Sequence, residues 1–185
     1  MGLIRSAFLW GMIAASVQIR GVDGVVLRPL EPAGVANVII FIATDCPIAN
    51  GYAPEIQHIC GAYHSRGVTC MLLYVDPRVG ADAVRKHLAE YRYSSMPAAV
   101  DGDHGIAIRV GATVTPEAAV VDRGGTVRYR GRIDNQYVAL GRARRVVTVH
   151  DLRDALDAVL AGKPVAASDT ASIGCFIVSS PRRRK

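Results

Sequence analysis

Val35–Pro54 reads VANVIIFIATDCPIANGYAP, and this stretch decides the fold. Its opening run, Val35–Ala43, is continuously apolar and rich in β-branched side chains, the pattern of a strand covered on both faces. Thr44-Asp45-Cys46-Pro47 breaks the run as a turn, and helical spacing follows to about Ser65, closed by Arg66-Gly67. A second buried strand, Val68–Val75 (VTCMLLYV), comes next and stops at Asp76-Pro77. Farther out, Val79–Tyr91 has helical spacing in Val84, Leu88 and Tyr91, Ala98–Val100 is a short extended piece, and Ile106–Val110 is a helical turn. Glu117–Asp122 and Thr126–Arg132 read as two strands joined by Arg123-Gly124-Gly125, a hairpin signal. Gly131–Arg145 is an irregular, Arg-rich connector. The last helix, Val149–Ala161, starts at Thr148 or His150-Asp151 and ends at Gly162, with Pro164 beyond it. This order predicts an α/β protein: a central mixed sheet with a parallel βαβ start, a closing antiparallel hairpin and helices on both faces.

The chain has 185 residues, half of them hydrophobic, enough for one domain with a full core. It carries 22 Lys+Arg against 16 Asp+Glu. Arg182, Arg183, Arg184 and Lys185 close the chain and Arg5 lies in an N-terminal apolar stretch; without them 17 basic residues face 16 acidic ones. The excess charge belongs to the ends, so it does not mark a nucleic-acid-binding domain. Met1–Arg5 followed by Ser6–Val17 (SAFLWGMIAASV), with small residues Ala14, Ala15 and Ser16, has the shape of a secretory signal. The apolar run is shorter than the roughly 20 residues that span a bilayer. Residues 1–20 are therefore expected to be an export signal, 21–163 the domain, and 164–185 a tail carrying Cys175 and a basic terminus. The expected location is periplasmic or otherwise extracytoplasmic, with no stable membrane span. Pro181–Lys185 reads as a basic tail able to touch an anionic membrane surface.

Four cysteines, Cys46, Cys60, Cys70 and Cys175, permit three full pairings among which the sequence does not choose. Cys46 directly follows the first strand and opens a helix, where unpaired backbone N–H groups and the helix dipole favour thiolate, the reactive form. Asp45 beside it acts in the opposite sense. Cys60 on the first helix and Cys70 in mid-strand read as buried core residues. Cys175 lies in Ser172-Ile173-Gly174-Cys175-Phe176-Ile177, an apolar island in a polar tail that can dock on the domain.

Cys46-Pro47-Ile48-Ala49-Asn50-Gly51-Tyr52-Ala53-Pro54 resembles the active-site helix of thioredoxins, in which a nucleophilic Cys opens the helix and an Ala-Pro pair interrupts it two turns later. Val114-Thr115-Pro116 resembles the Thr-Pro loop of that family, whose proline is cis and faces the active-site sulfur. Glu117–Ile133 is similar to the closing hairpin of the redoxin group, which includes the alkyl hydroperoxide reductase/thiol-specific antioxidant proteins and exported thiol oxidoreductases. The likeness spans roughly Val35–Ala161. It implies a thioredoxin-like fold, a nucleophilic Cys46 supported by Thr44, Asp45, Pro47, Thr115 and Pro116, and a Thr115 backbone that flanks a bound substrate strand. It also implies an external thiol as reductant, no cofactor and no resident metal.

Two departures redirect the chemistry. Where thioredoxins have C-x-x-C the resolving position here is Ala49, so dithiol cycling within the helix is excluded. Where peroxiredoxins have Thr or Ser three residues before the cysteine, this chain has Ala43, with Thr44 two before. The resulting expectation is an antioxidant-type oxidoreductase in which Cys46 attacks a disulfide or a peroxide and the product is resolved either by Cys175, as C-terminal cysteines do in some peroxiredoxins, or by an outside thiol; the alternatives for Cys175 are pairing with another chain or mere packing. The runner-up is a non-catalytic adaptor using the same groove. A copper-handling role would need further ligands, from Cys60 and His64 on one helix face, His104 or the tail. Arg128, Arg130 and Arg132 share one strand face, where a solvated surface paired with Asp122, Asp134 and neighbours competes with a role in stabilising a thiolate or peroxide.

Overall fold

The computed structural model describes residues 16–93 and 95–177. In chain order its elements are β1 (Ile19–Arg20), β2 (Val26–Leu27), β3 (Ala36–Ile42), α1 (Pro47–Gly51), α2 (Ala53–His64), β4 (Val68–Tyr74), α3 (Ala81–Glu90) and β5 (Ala98–Val100). There follow α4 (Gly105–Val110), β6 (Val114–Thr115), β7 (Glu117–Asp122), β8 (Val127–Gly131), β9 (Tyr137–Ala139), β10 (Arg142–Ala143), α5 (Asp151–Leu160) and β11 (Cys175–Phe176). The central sheet has the order β5-β4-β3-β7-β8. β3, β4 and β5 run parallel, whereas β7 and β8 join antiparallel. This is the mixed α/β architecture that the alternation of buried strands and helices implies.

β3 is buried along its whole length because both its faces are covered. Val38, Ile40 and Ile42 pack with Ile56 and Ile59 of α2, Leu88 of α3 and Leu156 of α5; Ile39 and Phe41 face the other way, against Ile106 and Val110 of α4 and Leu27 of β2. Asn37 is the polar exception in the strand, and its amide nitrogen donates to the carbonyls of Arg28 and Pro29, each at 3.0 Å, so that its own buried donors are paired. Between β3 and β4 the helical segment divides at Tyr52. Pro54 has no N–H to donate, so the ladder stops there; the Tyr52 amide donates to Ile48 and Ala49, and the ladder resumes with Ile56 N–H on Tyr52 O at 2.9 Å.

Cys60 and Cys70 are joined in a disulfide, which corrects the expectation of two core thiols. Arg66 and Gly67 turn α2 directly into β4, so a residue one turn before the helix end and the third residue of the strand come to lie side by side, Cα to Cα 5.8 Å. The bond stays within the core, with Cys70 buried and Cys60 packed against the same apolar cluster.

Three short features add to the sequence reading. β1 and β2 form a two-stranded hairpin, and Gly21 bridges to Ala99 of β5, so residues from Ile19 onward belong to the folded body. The Arg-rich connector contains the β9–β10 pair, which lays Tyr137 against Tyr52 with ring centroids 5.2 Å apart. The tail is laid down along two strands. Its first stretch follows β8: Arg130 N–H donates to Ser168 O at 2.9 Å, Thr170 N–H to Arg130 O at 3.1 Å, and the Arg130 guanidinium pairs with Asp169. Gly131, with φ 152°, lets this happen, because a Cβ there would lie 2.8 Å from Thr170 N. Its second stretch, β11, pairs antiparallel with β6. Residues 1–15 of the expected export signal and the basic Pro181–Lys185 run lie outside the described residues. Among those described, no helix is long and apolar enough to cross a membrane.

Candidate active site around Cys46

Cys46 caps the N-terminus of α1 in extended conformation, with Pro47 in the first helical position, where its missing N–H costs nothing. The Cys46 side chain is buried, 1% exposed. Its sulfur lies 3.0 Å from the carbonyl oxygen of Thr115, across the loop in which the Thr115–Pro116 peptide bond is cis. Thr115 and Pro116 are buried as well, whereas Asp45 and Pro47 are exposed and Thr44 is half-buried.

The tail completes the site. In the β11–β6 pair Cys175 stands opposite Thr115 and Phe176 opposite Val114. Ile177 N–H donates to Thr113 O at 2.9 Å, and the Thr115 hydroxyl donates to Cys175 O at 3.4 Å. Gly174 is required by close approach: a Cβ there would sit 2.7 Å from the Thr115 carbonyl carbon and closer still to its oxygen. This pairing sets Cys175 close enough to Cys46 to act on its thiol. Cys46 and Cys175 are both free thiols in this arrangement.

The acidities of the two thiols shift in opposite directions. Burial pushes the Cys46 thiol up, but hydrogen bonding from the Cys175 thiol, the Thr115 side chain and the Ala49 and Cys175 backbone outweighs it, and the net direction is down. The Ala49 amide acts by attraction rather than as a formed cap, since the sulfur makes no cap bond within α1. The Thr115 carbonyl favours the protonated thiol; one acceptor against these donors does not reverse the direction. Cys175 moves oppositely, pushed up to about 11 first by burial, then by its hydrogen bond and charge interaction with Cys46, with Asp45 adding to the effect. Of the two, Cys46 is therefore the thiol that ionises more readily. The Asp45 charge contributes to the upward shift of Cys175.

Two supports have no counterpart in the sequence reading. Buried Glu117 accepts the amides of Thr113 at 2.6 Å and Val114 at 3.3 Å, which holds the loop carrying Thr115. Its signal was an acidic residue directly after Pro116 at the head of an apolar strand. On the opposite side, Asn50 donates to Thr44 O at 3.0 Å, and its side-chain oxygen lies 2.9 Å from His87 Nε2. His87 Nδ1 lies 2.9 Å from the Tyr74 hydroxyl. Because the Asn50 nitrogen is spent on Thr44, its oxygen must accept; His87 therefore carries its proton on Nε2, and Nδ1 accepts from Tyr74. Burial lowers the His87 pKa, in keeping with this neutral ring.

The arginine stripe is engaged elsewhere: Arg128 with Asp122, Arg130 with Asp169 and the Gly111 carbonyl, Arg132 with Asp151. The helix-face pair Cys60 and His64 loses its sulfur donor to the disulfide. Glu55, Asp134 and His150 cluster within 4.8 Å, but Arg153 already holds Glu55 and the Tyr52 hydroxyl holds Asp134.

A cavity of about 560 Å³ opens beside Cys175, bordered by Asp45, Val75, Arg78, Thr115 and Ile177 among others. Cys175 borders it; Cys46 does not.

No protein-family model matches the chain, and no curated protein does. Among solved structures it is similar to an uncharacterized conserved protein from Geobacillus kaustophilus, with 28% identity, 90% of each chain covered and a TM-score of 0.76. It is also similar to the hypothetical protein SMc02350 from Sinorhizobium meliloti 1021, with 25% identity, 91% of this chain and 93% of that one covered and a TM-score of 0.73. A secreted Mycobacterium tuberculosis disulfide oxidoreductase homologous to E. coli DsbE matches at 18% identity, over 80% of this chain and 96% of its own, with a TM-score of 0.53. Sheet order, helix placement and these likenesses together give the chain a thioredoxin-like fold.

Proposed function

We propose that the protein is a thiol–disulfide oxidoreductase whose redox pair is Cys46 on the active-site helix and Cys175 on the tail. The reading rests on one observation above all: β11 pairs with β6 so that Cys175 stands opposite Thr115, whose carbonyl lies 3.0 Å from Cys46 Sγ. Replacement of the usual second helix cysteine by Ala49 leaves Cys46 without a local partner, and the docked tail supplies one. In the cycle, the Cys46–Cys175 disulfide takes two electrons from a partner dithiol; the partner leaves as a disulfide and the protein as thiolate and thiol, with one proton released. The split between the two thiols fits such a cycle, because a low-pKa thiol leaves readily and a thiolate is the attacking form. The disulfide oxidoreductase among the structural neighbours supports the same class of chemistry.

The Cys60–Cys70 disulfide supports an extracytoplasmic location, where such bonds persist, as does the apolar N-terminal run.

The test is mild oxidation of the full chain with diamide, followed by non-reducing peptide mapping and by assay of dithiol oxidation. The expected result is a Cys46–Cys175 crosslinked peptide and an activity lost on either Cys46→Ser or Cys175→Ser. Activity that survives Cys175→Ser removes the pair. Hydrogen peroxide forms the second arm: Cys46 oxidised by peroxide faster than by a disulfide moves the reading to thiol peroxidase.

A further inference from the structure

We infer that the partner's thiol attacks Cys175, and that Cys46 is the internal member of the pair, never the sulfur that meets the partner. The inference rests on the Cys46–Cys175 pair proposed above and assigns the two sulfurs their roles.

Thiol–disulfide exchange is an in-line displacement: the entering thiolate, the attacked sulfur and the leaving sulfur lie in one row. Attack on Cys46 with Cys175 leaving needs access to Cys46 from the side away from Cys175. That side is closed. Cys46 is 1% exposed and belongs to the main apolar core with Ile48, Ala49 and Tyr52, while β11 and the Thr115 loop cover it in front. Attack on Cys175 with Cys46 leaving needs access only to the tail sulfur. Cys175 is half-buried and borders the cavity of about 560 Å³, and Cys46 does not border it. The cavity wall offers apolar surface from Val75, Pro77 and Ile177 with the Asp45 carboxylate at its rim, room for an extended thiol-bearing segment or a small thiol. Chemistry agrees with access: Cys46, the thiol of lowered pKa, is the better leaving group, and Cys175, held up to about 11, the poorer one.

The bonds follow in order. A partner thiolate attacks Cys175 Sγ; a partner–Cys175 disulfide forms, the Cys46–Cys175 bond breaks, and its electron pair leaves with Cys46, which remains thiolate. The partner's second thiolate then attacks its own bound sulfur. The partner departs as a disulfide, and Cys175 takes up a proton. The partner is oxidised by two electrons and the protein disulfide reduced by two.

This arrangement reverses the expectation from the active-site-helix likeness, in which the helix-opening cysteine carries the mixed disulfide.

The experiment uses the full oxidised chain, its Cys46–Cys175 bond first verified by non-reducing peptide mapping, and reduced glutathione as a monothiol probe. The reaction is stopped early with excess N-ethylmaleimide, and peptides are mapped for which cysteine carries glutathione and which carries maleimide. The expected result is glutathione on Cys175 and maleimide on Cys46, in at least about tenfold excess over the reverse product, the discrimination that 1.4 kcal/mol of barrier difference confers. Equal products, or glutathione chiefly on Cys46, overturn the inference and leave the redox pair standing. Absence of the Cys46–Cys175 bond from the oxidised sample overturns the pair and the inference together.

Discussion

Gly174→Ala tests whether docking of the tail is what unites the two sulfurs. The added Cβ would lie 2.7 Å from the Thr115 carbonyl carbon, and that carbonyl is backbone, held in a buried loop. Ordinary carbon contacts are about 3.5–4.0 Å, so β11 must retreat by about 1 Å. A retreat of that size takes the Ile177 N–H bond to Thr113 O from 2.9 Å beyond hydrogen-bonding range, along with the Thr115–Cys175 pairing. Losing two or three such bonds at about 1 kcal/mol each costs docking about 2–3 kcal/mol. At about 1.4 kcal/mol per decade this lowers the effective concentration of Cys175 at Cys46 about 30- to 150-fold. The assay is equilibration with a glutathione redox buffer at neutral pH, scored by the fraction of Cys46–Cys175 disulfide; the constant should fall by that factor while the melting temperature of the body stays put. Cys46 alkylation should need higher pH, because the Cys175 donors to its thiolate are gone. A constant within about threefold of the wild type would refute the reasoning, since it would mean that the sulfurs meet without the strand.

The other predictions concern the frame that holds the site. Replacing Cys60 and Cys70 together by alanine should cost about 3 kcal/mol in urea unfolding, the loop-entropy value for a sequence separation of 10, and a loss below about 1 kcal/mol would show that the bond is incidental. Glu117→Ala leaves the Thr113 and Val114 amides buried without an acceptor and should destabilise by about 2–4 kcal/mol, with Glu117→Gln recovering part of it; equal losses in the two variants would contradict the hydrogen-bond account. His87 is held neutral by burial, so its folded pKa lies below its unfolded value of about 6.5. The unfolded chain therefore binds more protons below that pH, and stability should be fully present above it and fall by up to about 1.4 kcal/mol per pH unit as pH drops towards the folded pKa; His87→Asn should flatten this limb, and an unchanged slope would reject the assignment.

Much of the frame was legible because its causes are local. An unbroken β-branched run has to be covered on both faces, so Val35–Ala43 could be read as a central strand, and β3 lies at Ala36–Ile42 with helices on either side. The break at Pro54 was placed by the resemblance to the thioredoxin helix, and its cause is local, since Pro54 lacks an N–H wherever it sits. Other features depend on contacts between distant residues. Cys60 looked like a core thiol because nothing in its neighbours shows that the turn at Arg66-Gly67 returns the chain to set it beside Cys70. His87 lay inside the helical stretch Val79–Tyr91 with no signal of its own; its link through Asn50 to the Thr44 carbonyl exists only once α3 packs behind α1.

The sequence by itself determined the α/β order, the placement of Cys46 at a helix start and the lack of a second cysteine within that helix, since each follows from periodicity or from identity at a fixed spacing. That Cys175 is laid opposite Thr115, and that it and not Cys46 borders the cavity, follows from tertiary packing. Those depend on where the tail runs after α5: along β8 at Ser168–Thr170, then against β6, past a glycine that lets two backbones touch. Strand pairing between segments 60 residues apart has no period in the sequence, and burial of one sulfur by another segment is a property of packing alone.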